Sequence, residues 1–243
     1  MDRQPPLAPA LSLALGLAAL AVAPLASGLA PTAGAHYRVV DPPVATSVKP
    51  GQVEVIEFFS LGCPHCGEFE PALQAWRKRQ PANVALVRLP ATFNPFFKLM
   101  GRVYYALEDV GAAERLTPQL FDAIHVARDP ALLRPLGEWQ NRLQRHEDAA
   151  AAEAAALAAL VDYAAARGVD ATKLNAALRS PSVALRLARA DATYRRYGVL
   201  GVPALSVAGK YFTTAGRPFA NRSYGELLDT IDYLVALESK PRG

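Results

Sequence analysis

The sequence predicts an α/β fold split by an all-helical insertion, and three observations predict it. An apolar run over 52–59, an amphipathic stretch over 64–79 and a second apolar run over 84–89 follow one another as strand, helix and strand. From Thr92 the apolar spacing turns helical for about a hundred residues. The pattern then returns to helix, strand, strand and helix between Ser180 and Glu238. Strands on either side of a helical block read as one sheet-based layer structure into which helices have been inserted.

Tyr37–Val40 is a short candidate strand that Asp41-Pro42-Pro43 stops, and Lys49-Pro50-Gly51 is a turn. The strand to Phe59 is apolar on both faces except at Glu54 and Glu57, as a strand covered by helices on both sides would be. Phe69, Leu73 and Trp76 recur at helical spacing, and Pro81 ends that helix. The strand–helix–strand order implies parallel pairing of the two strands. Within the helical block, Phe96, Phe97, Leu99, Met100, Val103, Tyr104 and Leu107 make one apolar face. Leu116, Leu120, Phe121, Ile124 and Val126 make another. Asp129-Pro130 is a break before a helix around Trp139, and 149–166 is Ala-rich and helix-prone, with Gly168 as its C′ residue. Asp170 caps a short helix over 171–178. Ser180 as N-cap, Pro181 at N1 and Gly198 as stop bound a long helix. A strand over 201–207 is entered through Pro203, Ala208-Gly209-Lys210 turns the chain, and 211–213 pairs back as a hairpin. The last helix, 223–238, has Leu227, Leu228, Ile231, Leu234, Val235 and Leu237 as its core face.

A chain of 243 residues can bury a proper core. Lys and Arg number 26 against 22 Asp and Glu, a net charge of +4. Arg102, Arg128, Arg142 and Arg195 lie far apart, so no clustered basic footprint for nucleic acid exists. At the N-terminus, Arg3, an Ala/Leu-rich run over 11–22, Pro24 and Ala33-Gly34-Ala35 read as a secretory signal over 1–35, with a mature start near His36. The competing reading is an uncleaved anchor from Leu7 to Ala30, which Pro9 and Pro24 disfavour. The remainder divides into a first sheet part (36–91), the helical insertion (92–180) and a second sheet part (181–243).

The only two cysteines, Cys63 and Cys66, are three positions apart. They fall where a strand hands over to a helix, so Cys63 belongs at a helix N-terminus, where unpaired amides and the helix dipole favour a thiolate. Zinc needs four ligands, and His36, His125 and His146 have no second ligand at metal spacing. A c-type haem site needs histidine at position 67, which is Gly67. A bridge between i and i+3 closes too small a loop to stabilise a fold much. What remains is dithiol redox chemistry: a Cys-x-x-Cys pair at such a junction is the signature of a thioredoxin-like fold.

The segment Glu57-Phe58-Phe59-Ser60 followed by Cys63-Pro64-His65-Cys66 resembles the active-site segment of DsbA-type periplasmic thiol:disulfide oxidoreductases. Leu120-Phe121-Asp122-Ala123-Ile124-His125 resembles that family's helical domain, and Gly201-Val202-Pro203-Ala204 with Val207 to Tyr211 its cis-proline loop and hairpin. Two departures stand out: the insertion looks longer around 140–160, and Gly67 stands where some relatives carry an aromatic.

Cys63 is expected to be the accessible exchanging sulfur and Cys66 the more buried resolving one. The resemblance implies that Pro64 and His65 set the redox poise, His65 as a donor near the Cys63 sulfur. Each pKa unit of thiolate stabilisation is worth about 1.4 kcal/mol, roughly 30 mV in a two-electron couple. Val202–Pro203 is expected to be cis, beside a strand edge that pairs with substrate backbone. Glu57 is expected to be a buried acid beneath the cysteines with a raised pKa, assisting Cys66. Arg88 is the basic residue on the next strand. The resemblance implies no dissociable cofactor or metal, a periplasmic location, reduced unfolded exported proteins as substrates, and a membrane quinone-linked DsbB-type partner. A disulfide isomerase or reductase of the same fold is the alternative, and a thiol-independent binding protein or chaperone a further one. The short run before residue 50 sets the expectation against a DsbC-type dimeric isomerase.

Overall fold

The structure is a computed structural model that describes residues 30–239. Of the expected signal over 1–35, or anchor from Leu7 to Ala30, residues 1–29 lie outside the described residues, and no described helix is long and apolar enough to cross a membrane. The described residues from Pro31 onward form one compact unit.

Five strands form one mixed sheet in the order β1-β5-β4-β2-β3: β1 (Arg38–Val39), β2 (Val53–Phe59), β3 (Val84–Pro90), β4 (Ala204–Val207) and β5 (Tyr211–Thr214). The expected parallel pairing holds, with Val53 opposite Val84 and Glu57 opposite Arg88, whereas β4 runs antiparallel to both β2 and β5. The alternation of β2 sorts its side chains between two cores. Val53 and Val55 pack with Phe69, Leu73 and Trp76 of α1 (Pro64–Lys78) and with Leu227, Ile231 and Leu234 of α8 (Tyr224–Glu238). Ile56 and Phe58 face the other way, onto Tyr194 and Tyr197 of α7 (Pro181–Tyr197). The Trp76 indole N–H donates to Asp232 at 2.7 Å, which ties α1 to α8.

Between β3 and α7 run α2 (Pro95–Asp109), α3 (Ala113–Phe121), a π-helical turn (Asp122–Val126), α4 (Pro130–Gln144), α5 (Ala150–Ala165) and α6 (Ala171–Leu178). Side-chain caps start several of them: Asn94 accepts from the Phe97 N–H, Asp129 from Ala131 and Asp170 from Lys173. Gly168, at φ +80, closes α5, with its own N–H bonded to Ala165 O and that of Val169 to Ala164 O. The stretch 140–160 folds as a helical hairpin of α4 and α5 across the short link 145–149. Val126 does not join the apolar face expected of it. Leu116, Leu120, Phe121 and Ile124 are buried, but the wider π-helical turn carries Val126 away and leaves it 75% exposed. The core of the helical block is continuous with Phe59, Leu61, Cys63 and Cys66, so the cysteine segment rests on both parts.

The turn 208–210 is held from both sides. The Val44 N–H donates to Gly209 O at 2.9 Å, Gly209 has φ +71, and a Cβ there would sit 1.9 Å from the Val44 carbonyl oxygen. Gly209→Ala should therefore cost about 3 kcal/mol or more, through both backbone strain and the clash. A thermal melt should show Tm lowered by about 6–12 °C; an unchanged Tm would mean that the turn relaxes freely.

Candidate active site

Cys63 is the N-cap of α1, with φ −98 and ψ 117, and Pro64 occupies the first helical position. The Cys63 N–H donates to Ser60 O at 3.0 Å, fixing the bend between β2 and the helix. Both thiols are unbridged in this structure. Cys63 is more enclosed than expected, 6% exposed against 0% for Cys66, so the difference in accessibility is one of degree. The Cys63 thiol donates to Val202 O at 3.5 Å, and the Val202–Pro203 peptide is cis, as expected. Thr214 Oγ1 donates to Pro203 O at 2.8 Å, so the hairpin β4–β5 fixes the loop that faces the sulfur.

The two thiols sit in opposite electrostatic surroundings. A hydrogen bond from the Cys66 thiol, then the backbone N–H groups of Cys66 and His65 at the start of α1, draw the Cys63 pKa down to about 6 against the opposing effect of burial. Burial raises the Cys66 pKa well above the ordinary thiol range, and the neighbouring Cys63 and Glu57 raise it further.

His65 acts by a different route from the one expected. Its Nδ1 lies 3.0 Å from Glu68 Oε2 and its side chain is 69% exposed, so the ring faces a carboxylate rather than the sulfur. Glu68 raises the pKa of the imidazole. What His65 offers Cys63 is its backbone N–H and, more weakly, the charge of the ring. The Tyr224 hydroxyl donates to His65 O at 3.0 Å and braces the same turn.

Beneath Cys66 lies a buried charge cluster. Odd positions of β2 face α1, so Glu57 points under the helix, and the register sets Arg88 directly opposite. Arg88 Nε is 2.8 Å from Glu57 Oε2, and its guanidinium also bonds Glu70 of α1. No other described hydrogen-bond donor reaches either Glu57 oxygen. Burial raises the Glu57 pKa to about 7, with Arg88 pulling it down and Glu70 pushing it up. Arg88 answers the question left open by the sequence: it is the cationic partner of Glu57.

Two residues take roles in this site that sequence reasoning did not give them. His125, weighed as a metal ligand and met in the segment that resembles the family's helical domain, sits on the π-helical turn, with Nε2 2.8 Å from Leu61 O. It fastens the helical block to the cysteine segment, and burial lowers its pKa. Gly67 is the second: a Cβ there would stand 3.2 Å from His125 Cδ2 and 3.4 Å from Phe121 Cδ1, so the absence of a side chain lets this ring pair close over the first turn of α1. The signal available was the Phe121 to His125 spacing of one helical turn. Among the described residues, no group of His, Cys, Asp and Glu is placed to hold a metal ion.

Glu57 carries a stability prediction. Its folded pKa is raised, from about 4.5 to about 7. The protonated acid is therefore the form the fold tolerates, and stability is lost as the pH rises from about 4.5 through 7. Glu57→Gln should be more stable than the unmodified chain at pH 8 by about 1–3 kcal/mol, with the difference shrinking towards pH 5. Urea titrations at both pH values measure it; a difference independent of pH would show that Glu57 does not titrate there.

The comparisons with known proteins agree with this geometry. A family model described as Thioredoxin matches residues 49–232. The chain is 36% identical over 226 residues to the thiol:disulfide interchange protein DsbA of Burkholderia cepacia, covering 93% of each chain. It is 33% identical over 210 residues to that of Pseudomonas aeruginosa, covering 85% of each. Among solved structures it resembles Pseudomonas aeruginosa DsbA, with TM-score 0.68 and 31% identity over 85% of this chain and 94% of that one. It also resembles the oxidoreductase DsbA of Xylella fastidiosa, with TM-score 0.69 and 27% identity over 86% of this chain and 97% of that one. The thiol pair at the head of α1, the Val202–Pro203 loop and the helical insertion are thus features of a chain that belongs to the DsbA-type thiol:disulfide oxidoreductases of the thioredoxin family.

Proposed function

We propose that this protein is an oxidase of protein thiols that works in the periplasm by dithiol–disulfide exchange at Cys63 and Cys66. In the oxidised enzyme a client thiolate attacks Cys63 Sγ. The Cys63–Cys66 bond breaks, a client–Cys63 disulfide forms, and Cys66 leaves as a thiolate. Cys66 then takes a proton, for which Glu57 beneath it is the donor. A second client thiolate attacks the client sulfur, Cys63 leaves as a thiolate, and two electrons have passed from the client to the enzyme. Pro64 and His65 shape the first turn that receives that charge, and the Val202–Pro203 loop presents backbone to the client. The redox-active group is the cysteine pair itself, with no dissociable cofactor. Clients are reduced, unfolded exported proteins, and a membrane quinone-linked DsbB-type oxidase restores the disulfide.

The observation that carries this reading is the asymmetry of the pair. A leaving Cys63 is stabilised as an anion at the helix N-terminus, whereas Cys66 favours the neutral thiol. Accepting electrons from a client is therefore downhill. Measuring the reduction potential, with reduced-client oxidation beside insulin reduction, tests it. A potential in the reductant range with fast insulin reduction would assign the protein to reductases instead. A Cys63→Ser variant that keeps full activity would assign it to thiol-independent binding.

Alkylation of the reduced protein should modify Cys63 first, with a rate that rises with pH around a midpoint of about 6. Because that pKa is depressed below the free-thiol range near 8.5, the reduced form gains stability between pH of about 6 and 8.5 and loses it as pH falls through the folded value. Equal reactivity of the two thiols would sink this assignment. His65→Ala keeps the backbone N–H and removes only the ring charge. The potential should therefore fall by roughly 30 mV or less, one pKa unit at most; a rise in potential would contradict the sign.

A further inference from the structure

Beside Cys63 lies a groove of 860 Å³ whose lining holds Val202 and Pro203, an apolar floor of Phe212 and Phe219, and the side chain of Leu200, which is 96% exposed at its mouth. The charged side chains that line it are all basic: Arg38, His65, Arg217 and Arg222. Two of these are matched by acids just outside the groove, His65 by Glu68 and Arg222 by Glu226 at 3.3 Å. Arg38 and Arg217 are not. The Arg38 guanidinium bonds the neutral Tyr197 carbonyl and lies 4.5 Å from the centre of the Phe212 ring. Arg217 is exposed and has no carboxylate partner among the described residues. Burial without an anionic partner lowers the pKa of Arg38, which marks a cation that has lost water and gained no opposite charge.

We infer that this groove selects client segments that are apolar and carry an acidic side chain close to the reacting cysteine, the carboxylate seating between Arg38 and Arg217. The inference rests on the oxidase reading above and adds the class of sequence that site prefers. The sheet sets the spacing. Arg38 lies opposite Phe212 and Phe212 opposite Ser206, three residues beyond Pro203. At about 3.3 Å per residue and about 4.8 Å between strands, the Arg38 backbone is on the order of 14 Å from Pro203, the reach of about four extended residues. An extended client joined through its sulfur to Cys63 therefore brings its fourth neighbour, or a nearer one, to the guanidinium groups. The apolar floor excludes water and strengthens the charge pairing.

The test uses peptides with two reduced cysteines and a Glu, Gln or Lys placed four residues to either side, reacted in single turnover with the oxidised protein. The Glu peptide on one side should react about ten-fold faster than its Lys counterpart at low salt, and the ratio should approach one at about 0.5 M salt. Arg217→Glu should abolish or invert the preference, Arg217→Lys should keep it, and Arg38→Gln should weaken it. A structural role alone would not make the ratio follow the sign of the charge at 217. Equal rates for Glu and Lys peptides, or a preference unmoved in Arg217→Glu, would overturn the inference. If no peptide is oxidised at all, the oxidase reading fails; if all are oxidised alike, that reading stands and the charge preference alone falls.

Discussion

A sulfur at the head of α1 is held between two opposing effects, and the rest of the site follows from how they balance. Enclosure of Cys63 by Val202, Leu61 and the helical block works against a charged thiolate. The amides of the first turn and the Cys66 thiol work for it, and they prevail, because several donors converge on one atom. Cys66, one turn further in, is more deeply buried, and burial outweighs the hydrogen bonding it receives from the Ser60 backbone. The chemistry of the pair thus arises from a difference in position of three residues along one helix. Every element that fixes this helix start is also an element of the redox site: β2 that delivers it, the Ser60 carbonyl that bends it and Tyr224 that braces it.

The charges below are the second condition. Glu57, Arg88 and Glu70 are almost fully buried, and taking such charges out of water is costly unless each finds a partner. Burial pushes the Glu57 carboxyl up, Arg88, which serves two carboxylates at once, pulls it down and Glu70 pushes it up again, so its pKa rests at about 7. Burial, set against a guanidinium shared with Glu70, leaves the acid able to gain and release a proton near neutral pH.

The elements of the fold were legible because their signals are local. Ser180, Pro181 and Gly198 delimit α7 as written, with Ser180 accepting from the Ser182 N–H and Gly198 in the left-handed region. The alternation in β2 marks a strand covered on both faces, and its parity already assigns Glu57 to the face of the next helix. Val126 shows where periodicity misleads, since it assumes 3.6 residues per turn and the π-helical turn departs from that. The family resemblance implied that the ring of His65 lies at the sulfur, yet Glu68, one turn along the same helix, offers the nearer opposite charge.

By itself the sequence determined the chemistry and its address: two thiols at a strand-to-helix junction, a proline loop and hairpin, and a helical block between the sheet parts. Those depend on spacing, capping and patterning within short stretches of chain. Tertiary structure decided which distant groups meet. The register of β2 against β3 brings Arg88 to Glu57, and the packing of α3 and the π-helical turn over α1 sets His125 on Leu61 and leaves only a tight space at Gly67. The return of β5 lays Arg38 and Arg217 along one groove beside Val202. Such encounters join residues tens to more than a hundred positions apart, where no local preference operates and only the mutual packing of elements fixes distance.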